Sequence, residues 1–226
     1  MTDGRLREAE RRWRQSGSVD DEAAFLRERV RAGALPPARL EVAAACGHPA
    51  AARALPAPTR GLFGRALDRA REALTGDDPW RRLRRFAPEV KVRAAFVIAR
   101  PTFAAAGATG EVAAAATRAL AATEAWLEAP SEARAAAASE AAADLYDLIN
   151  REFEDEGSAV ADALQWAGCV AAAADTIETP ASLDTCHLAA GAARALARGA
   201  DSATAEDGAA VWRLAAQDLV AWALEA

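Results

Sequence analysis

An alanine-rich stretch in the middle of the chain decides the fold. Residues 111–155 read EVAAAATRALAATEAWLEAPSEARAAAASEAAADLYDLINREFED. Alanine has the highest helix propensity and loses no side-chain entropy on folding. Both halves of the stretch are therefore predicted to be helices, at 111–128 and 131–155. Pro130 separates the two helices, and Ser131 is a suitable N-cap for the second.

The same pattern, apolar segments separated by Pro and Gly, covers the rest of the chain. Upstream it predicts a short basic helix and three further helices, at 5–15, Ser18–Ala32, Pro36–Gly47 and Pro49–Leu55. Downstream it predicts further helices at 62–74, 79–86, 89–106 (kinked at Pro101), 158–178, 181–198 and 204–225, with Ser202 as a cap residue for the last. No alternating run of apolar and polar residues is long enough for a strand, so we predict an all-α fold.

Residues 55–61, which read LPAPTRG, are the best candidate for a linker. Two prolines and a glycine within seven residues cannot continue a helix. We therefore predict an N-terminal helical hairpin subdomain at 1–58. It is expected to pack on a larger alanine-rich helical bundle or short α-solenoid at 59–226.

One short segment of the N-terminal region resembles a known repeat. Residues 40–48 read LEVAAACGH, and Leu55 follows. These residues, at these offsets, resemble the helix–turn–helix of an ankyrin repeat. An ankyrin array needs several stacked copies to bury its core, so Leu40–Leu55 is interpreted as a single ankyrin-like helical hairpin. The segment from Ala23 to Leu55, with the helices after it, also resembles uncharacterised alanine-rich all-α bacterial proteins, and this resemblance implies no activity.

Composition and cysteine content predict a soluble, cytoplasmic protein. Residues 1–15 are charged throughout and do not form the apolar core of a secretory signal. No apolar run without charges reaches the length of a membrane span, so no membrane association is expected. The three cysteines are an odd number without framework spacing, which favours reduced thiols over disulfides.

Common catalytic motifs are missing from the sequence. It contains no Walker-type phosphate loop, no zinc-protease helix motif and no serine-hydrolase elbow. One lysine and two histidines supply few groups for phosphate cradles or histidine-based catalysis. The sequence therefore predicts no cofactor and favours a protein that is not an enzyme.

A carboxylate ridge is the basis for one alternative, a metal-dependent hydrolase. Glu140, Asp144 and Asp147 recur at helical spacing, and bundles that bind divalent ions use such ridges with acids from a second helix. Those acids would be Asp162, Asp175 and Glu178. A charged stripe on a helix is more often its solvated face, and we favour that interpretation.

Cys46, His48, Cys186 and His187 are the softest candidate metal ligands, with Cys169 in reserve. Four Cys and His side chains could close a tetrahedral zinc site. However, neighbours such as Cys186 and His187 point about 100° apart on a helix. The favoured interpretation is that the cysteines are small core residues and that His48 caps the carbonyl groups at a helix end.

Charge is strongly segregated along the chain. Residues 1–100 carry a net charge of +8 and residues 101–226 a net charge of −14. The basic half is densest from Trp80 to Arg93, where arginines could bind phosphates or an acidic protein. The favoured interpretation is that the two halves neutralise one another across an internal interface. Nucleic acid is not expected as a partner, because the whole chain is acidic.

The last helix is apolar on most of its surface and has only a narrow polar strip. Such a helix is central in the fold or covers the surface of a partner. We predict a non-enzymatic cytosolic protein-interaction or regulatory module with an unidentified protein partner. The alternative from the charge is an immunity or antitoxin protein that neutralises a basic toxin, and a homo-oligomer is left open. The predicted interaction surface comprises Trp80, Arg81, Arg82, Arg84, Arg85, Lys91, Arg93, Trp212 and Trp222.

Overall fold

The structure, a computed structural model, describes residues 2–55, 79–156, 165–179, 181–200 and 202–225. These residues form helices and connecting turns without a strand, so the all-α prediction is confirmed. The helices are α1 (Thr2–Ser16), α2 (Val19–Arg31), α3 (Pro37–Ala45), α4 (Pro49–Ala54), α5 (Pro79–Leu83), α6 (Pro88–Ala106), α7 (Gly110–Glu128), α8 (Glu132–Glu156), α9 (Gln165–Asp175), α10 (Ser182–Ala197) and α11 (Ala205–Leu224).

Local chemistry explains where the helices begin and end. The Ser18 hydroxyl accepts a hydrogen bond from the Asp21 amide and caps α2, and Ser131 caps α8 through the Arg134 amide. Gly33 follows α2 with a φ of +74°, a conformation that favours glycine. These ends were predictable because capping depends on residues adjacent in sequence.

Some predicted boundaries differ from the structure. The predicted helix at 79–86 ends at Leu83, whereas the predicted helix at 89–106 corresponds to α6, with Pro101 inside it. The N-cap of α11 is Thr204 rather than Ser202, because the Thr204 hydroxyl accepts from the amide of Asp207. The predicted helix at 62–74 and the predicted boundary between residues 58 and 59 lie outside the described residues.

The chain divides into two compact units. Unit 1 comprises the described residues of Met1–Arg85 together with Leu219–Ala226, and unit 2 comprises those of Phe86–Asp218. Helix α11 thus contributes its last turn and a half to unit 1 and its earlier residues to unit 2.

Unit 2 is a helical bundle built around α9. This helix contacts α6, α7, α8 and α10, and every residue from Cys169 to Ala174 is completely buried. Contacts with four helices indicate a bundle rather than a solenoid, in which each repeat meets only its neighbours. Alanine makes this possible, because small side chains let helices approach closely on every side. The central position belongs to α9 and not to the last helix.

Unit 1 packs small helices around a few larger side chains. The rings of Trp13 in α1 and Phe25 in α2 are stacked with their centroids 5.1 Å apart. Helices α3 and α4 form the predicted hairpin, with Gly47 between them at a φ of +91°. Leu26, Leu35 and Leu40 are buried. Among the described residues, no helix combines the length and apolar character that a bilayer crossing requires.

Candidate binding groove

A groove of about 530 Å³ opens in unit 2 and is lined by α6, α7 and α11. The α6 residues follow one another at spacings of three, one, three and one, so they occupy one face of the helix. The α7 and α11 residues also follow helical spacing. The lining residues are Arg93, Phe96, Val97, Arg100 and Pro101 from α6, Glu124, Leu127 and Glu128 from α7, and Leu214 and Asp218 from α11.

Four side chains give the groove an apolar floor: Phe96, Val97, Leu127 and Leu214. Phe96 is nearly buried, and Val97 and Leu127 are half-buried. Leu214 is 39% exposed, which is unusual for a large apolar residue among those the structure describes. A single exposed leucine needs no explanation, but several apolar side chains in one concave surface are typical of a binding site.

Charged side chains border the apolar floor and form ion pairs with one another. Arg93 Nε lies 2.8 Å from Asp218 Oδ2, and Arg100 Nη1 lies 3.6 Å from Glu124 Oε1. Each pair joins one residue of the basic first hundred to one residue of the acidic remainder. Within the described part of the chain, the Glu128 side chain has no ion pair or hydrogen bond. The groove therefore carries one carboxylate more than its two arginines match.

The surroundings of the groove are also acidic. The sequence of unit 2, Phe86–Asp218, contains 20 acidic and 9 basic side chains, a net charge of −11. Such a charge attracts cationic partners over distances of about a Debye length, roughly 8 to 10 Å at physiological salt.

The predicted basic surface is divided between the two units. Arg81, Arg82, Arg84 and Arg85 are exposed residues of unit 1, in α5 and directly after it. Trp80 is only 4% exposed and Lys91 only 7%, so neither side chain is accessible to a partner. Arg93 lines the groove.

The two tryptophans predicted on α11 are both half-buried, Trp212 in unit 2 and Trp222 in unit 1. The guanidinium carbon of Arg39 lies 4.4 Å from the centroid of the Trp222 ring. Arg39 Nη1 also donates to the Trp222 carbonyl at 3.2 Å, and Arg29 Nη1 donates to the Leu224 carbonyl at 2.6 Å. These arginines satisfy carbonyl groups that a helix end leaves without partners, so Trp222 has a structural role inside unit 1.

The carboxylate ridge of α8 is exposed to solvent. Glu140, Asp144 and Asp147 all lie on the exposed face. Of the proposed second set, Asp175 accepts a hydrogen bond from Ser182, and Glu178 accepts one from Ser139 at 3.0 Å. Asp162 lies outside the described residues. Within the described ranges, no three His, Cys, Asp or Glu side chains are placed to hold a metal ion.

The candidate zinc ligands have other local roles. His48 accepts a hydrogen bond through Nδ1 from the amide of Ala51 and caps the start of α4. The prediction that it caps carbonyl groups is therefore wrong, because α4 follows directly and offers amide groups instead. Burial raises the pKa of Cys46 to about 11, and Cys169 and Cys186 are completely buried. His187 Nδ1 lies 3.3 Å from the Leu183 carbonyl.

No protein-family model, curated protein or solved structure matches this chain.

The sequence pointed to only one groove residue as a functional candidate, Arg93. Asp218 lies in the narrow polar strip of α11, which by itself does not indicate a site. A local signal is present in α6, where Phe96 and Val97 lie between Arg93 and Arg100 on one face. Such a mixed face fits a partly exposed surface better than a core. The groove residues of α7 and α11 form no comparable pattern in the sequence.

Proposed function

We propose that this chain is a non-enzymatic protein-interaction module and that the groove of unit 2 is its docking surface. The observation that supports this function is the apolar floor, which includes the 39% exposed Leu214 and is bordered by Arg93–Asp218 and Arg100–Glu124. An apolar centre with a charged rim is the usual composition of a protein interface.

The size of the groove is consistent with one or two anchor side chains from a partner. Ligand pockets in proteins usually span about 300–1,000 Å³. Burial of a single leucine or phenylalanine side chain contributes about 1.5–3 kcal/mol. A regulatory contact of moderate affinity needs only a few such anchors with well-placed polar neighbours.

A cytoplasmic site of action is part of the proposal. The three cysteines are free thiols, two of them buried in unit 2, and free thiols are typical of a reducing compartment.

An immunity or antitoxin protein is the second candidate function. The charge of unit 2 favours it, because a net charge of −11 suits the neutralisation of a basic protein. Co-production with a toxic basic protein encoded beside it should restore growth of the host. The metal-dependent hydrolase stays a prediction that the exposed α8 ridge does not strengthen.

Two exposed leucines of unit 2 allow a controlled test of the docking surface. Leu214 lines the groove, whereas Leu188 on α10 is more exposed, at 66%, and is not among the lining residues. Affinity purification from extracts of the source cells would use the unaltered chain, Leu214→Gln and Leu188→Gln. We expect one partner protein to be retained by the unaltered chain and Leu188→Gln and to fall about fivefold or more with Leu214→Gln.

Circular dichroism and thermal unfolding would verify that both variants fold. Equal retention by the two variants contradicts the groove as docking surface. Recovery of no partner by the unaltered chain contradicts the interaction function itself.

A further inference from the structure

We propose that the occupant of the groove is a cationic amphipathic helix of a partner protein, placed with a Lys or Arg side chain against Glu128. This inference rests on the proposed function and adds the chemistry of the partner.

The shape of the groove favours a helix as the occupant. Its lining comes from three helices, and among the described residues there is no strand whose edge could pair with an extended peptide. An amphipathic helix presents apolar side chains at positions i, i+3 or i+4 and i+7, and it inserts them into a groove of this kind. Such a row of apolar side chains would contact Val97, Leu127 and Leu214 of the apolar floor.

The ion pairs of the rim select the charge of the occupant. Arg93 and Arg100 already have carboxylate partners in Asp218 and Glu124. An anionic segment could bind these arginines only by displacing the carboxylates, which would break the existing ion pairs. Glu128 is exposed and has no partner in the described part of the chain, so a cation there adds a new ion pair without breaking one.

Two other occupants fit less well. A second copy of unit 2 also carries a net charge of −11, so face-to-face association through this groove is opposed by repulsion. A small apolar molecule would use the floor but would leave Glu128 unmatched. A cationic helix would contact the apolar floor, form an ion pair with Glu128 and be attracted by the negative charge of the whole unit.

The test uses the full chain and two synthetic helical peptides of about 18 residues, long enough for five turns. Both carry the same leucines at helical spacing, one with lysines and one with glutamates on the polar face. Fluorescence anisotropy of the labelled peptides measures their dissociation constants. We expect the lysine peptide to bind about tenfold or more tightly than the glutamate peptide, with a difference that shrinks at high salt.

Charge-reversal variants separate the groove from the general acidity of the unit. Glu128→Arg and Glu140→Arg change the net charge equally, but Glu140 lies on the exposed face of α8 and is not a lining residue. We expect Glu128→Arg to weaken binding of the lysine peptide about tenfold and Glu140→Arg to weaken this binding twofold or less. Leu214→Gln should weaken it about fivefold, and Leu188→Gln should not.

Equal effects of the two charge reversals, or equal binding of the two peptides, would overturn the inference. If neither peptide binds while a partner is still lost with Leu214→Gln, the cationic helix is wrong and the docking function stands. If no partner depends on Leu214 either, both are wrong. Sedimentation of the chain alone is expected to show no self-association that Leu214→Gln abolishes, and such self-association would identify a second copy as the occupant.

Discussion

The Sγ atoms of Cys169 and Cys186 lie 3.5 Å apart in the core of unit 2. The pair joins α9 to α10, and Cys186 Sγ also donates to the carbonyl oxygen of Ala95 at 3.6 Å. The hydrogen bond with Cys169, followed by burial, raises the pKa of Cys186 well above its ordinary value. Cys186 therefore stays protonated in the folded chain, and reagents cannot reach either thiol.

Thiol labelling should separate this pair from the third cysteine. We expect a maleimide to modify Cys46 first, because it is only half-buried, and to modify Cys169 and Cys186 only on unfolding. Since the thiolate is the nucleophile and the pKa of Cys46 is about 11, its rate should rise with pH between about pH 7 and pH 9, by up to about tenfold per unit. Mass spectrometry counts the labels, and three labels attached at similar rates would contradict the buried pair.

Stability should fall in alkaline solution. The pKa values of Cys46, Cys186 and Tyr146 are raised in the folded chain, to about 11 for Cys46 and about 12 for Tyr146. A group with a raised folded pKa contributes its full stability below its unfolded pKa, about 8.5 for Cys, and loses it as the pH rises toward the folded value.

Urea unfolding at a series of pH values would measure this loss. We expect the free energy of unfolding to fall between about pH 7 and pH 10, by about 1–2 kcal/mol through Cys46. The Cys46→Ala variant should lose less over the same range. A free energy that stays constant up to about pH 10 would show that these thiols titrate as they do in the unfolded chain.

A reciprocal capping box at the start of α11 should be a stabilising element of unit 2. The Thr204 hydroxyl accepts from the Asp207 amide at 3.4 Å, and the Asp207 carboxylate accepts from the Thr204 amide at 2.9 Å. We expect Thr204→Ala to lower the free energy of unfolding by about 1 kcal/mol. Ser202→Ala, two residues earlier at an exposed position, should change it by less than about 0.5 kcal/mol.

The carboxylate of Asp207 also makes the stability of the fold depend on pH in acid solution. Hydrogen bonds from Thr204 lower the pKa of Asp207, with a smaller contribution from Arg198. Its stabilising effect is therefore present above the unfolded pKa of about 3.9 and is lost as the pH falls through the lower folded value. Asp207→Asn should destabilise the chain at neutral pH and should make the remaining acid transition shallower.

Close packing of alanines should make the core of unit 2 intolerant of larger side chains. Ala119 and Ala121 lie two residues apart on α7, the first completely buried and the second exposed. We expect Ala119→Leu to cost about 1–3 kcal/mol through overpacking, and Ala121→Leu to stay within about 0.5 kcal/mol. Chemical denaturation of both variants gives the comparison, and equal stabilities would indicate a loosely packed interior.

The contact between Arg39 and Trp222 should stabilise unit 1. Arg39→Ala removes a cation–π contact at 4.4 Å and a hydrogen bond to the Trp222 carbonyl. We expect a loss of about 1–2 kcal/mol in the free energy of unfolding. A double-mutant cycle with Trp222→Leu should give a coupling of about 0.5–1 kcal/mol. Arg31→Ala is the control, since Arg31 pairs only with Glu28 in the same helix among the contacts described.

Helix positions were largely predictable, and the groove was not, for one physical reason. Caps and breaks such as Ser18, Gly33 and Ser131 act on the residues beside them, so the sequence shows them directly. The Arg93–Asp218 ion pair joins residues 125 positions apart, and its formation depends on which faces of α6 and α11 meet. Alanine-rich faces differ little from one another, so the sequence carries a weak signal for that choice.

Of the two roles predicted for the last helix, the central position is wrong for a related reason. Large side chains such as Trp212 and Leu214 favour a central position when only the sequence is considered. The structure places α9 there, where Val170 and its alanine neighbours are apolar on all sides and small enough for close approach. In an alanine-rich protein, small volume together with low polarity predicts the central position better than hydrophobicity alone.

Unit 1 is assembled from two pieces of chain that flank unit 2 in sequence, and this affects the order of events on the ribosome. Its helices α1 to α5 emerge from the exit tunnel before Phe86–Asp218 has been translated, while Leu219–Leu224 emerges after it. Arg29 and Arg39 therefore wait for their carbonyl partners until unit 2 has been made. A chain truncated before Leu219 would therefore keep the residues of unit 2 but would leave unit 1 without the helix end that Arg29 and Arg39 bind.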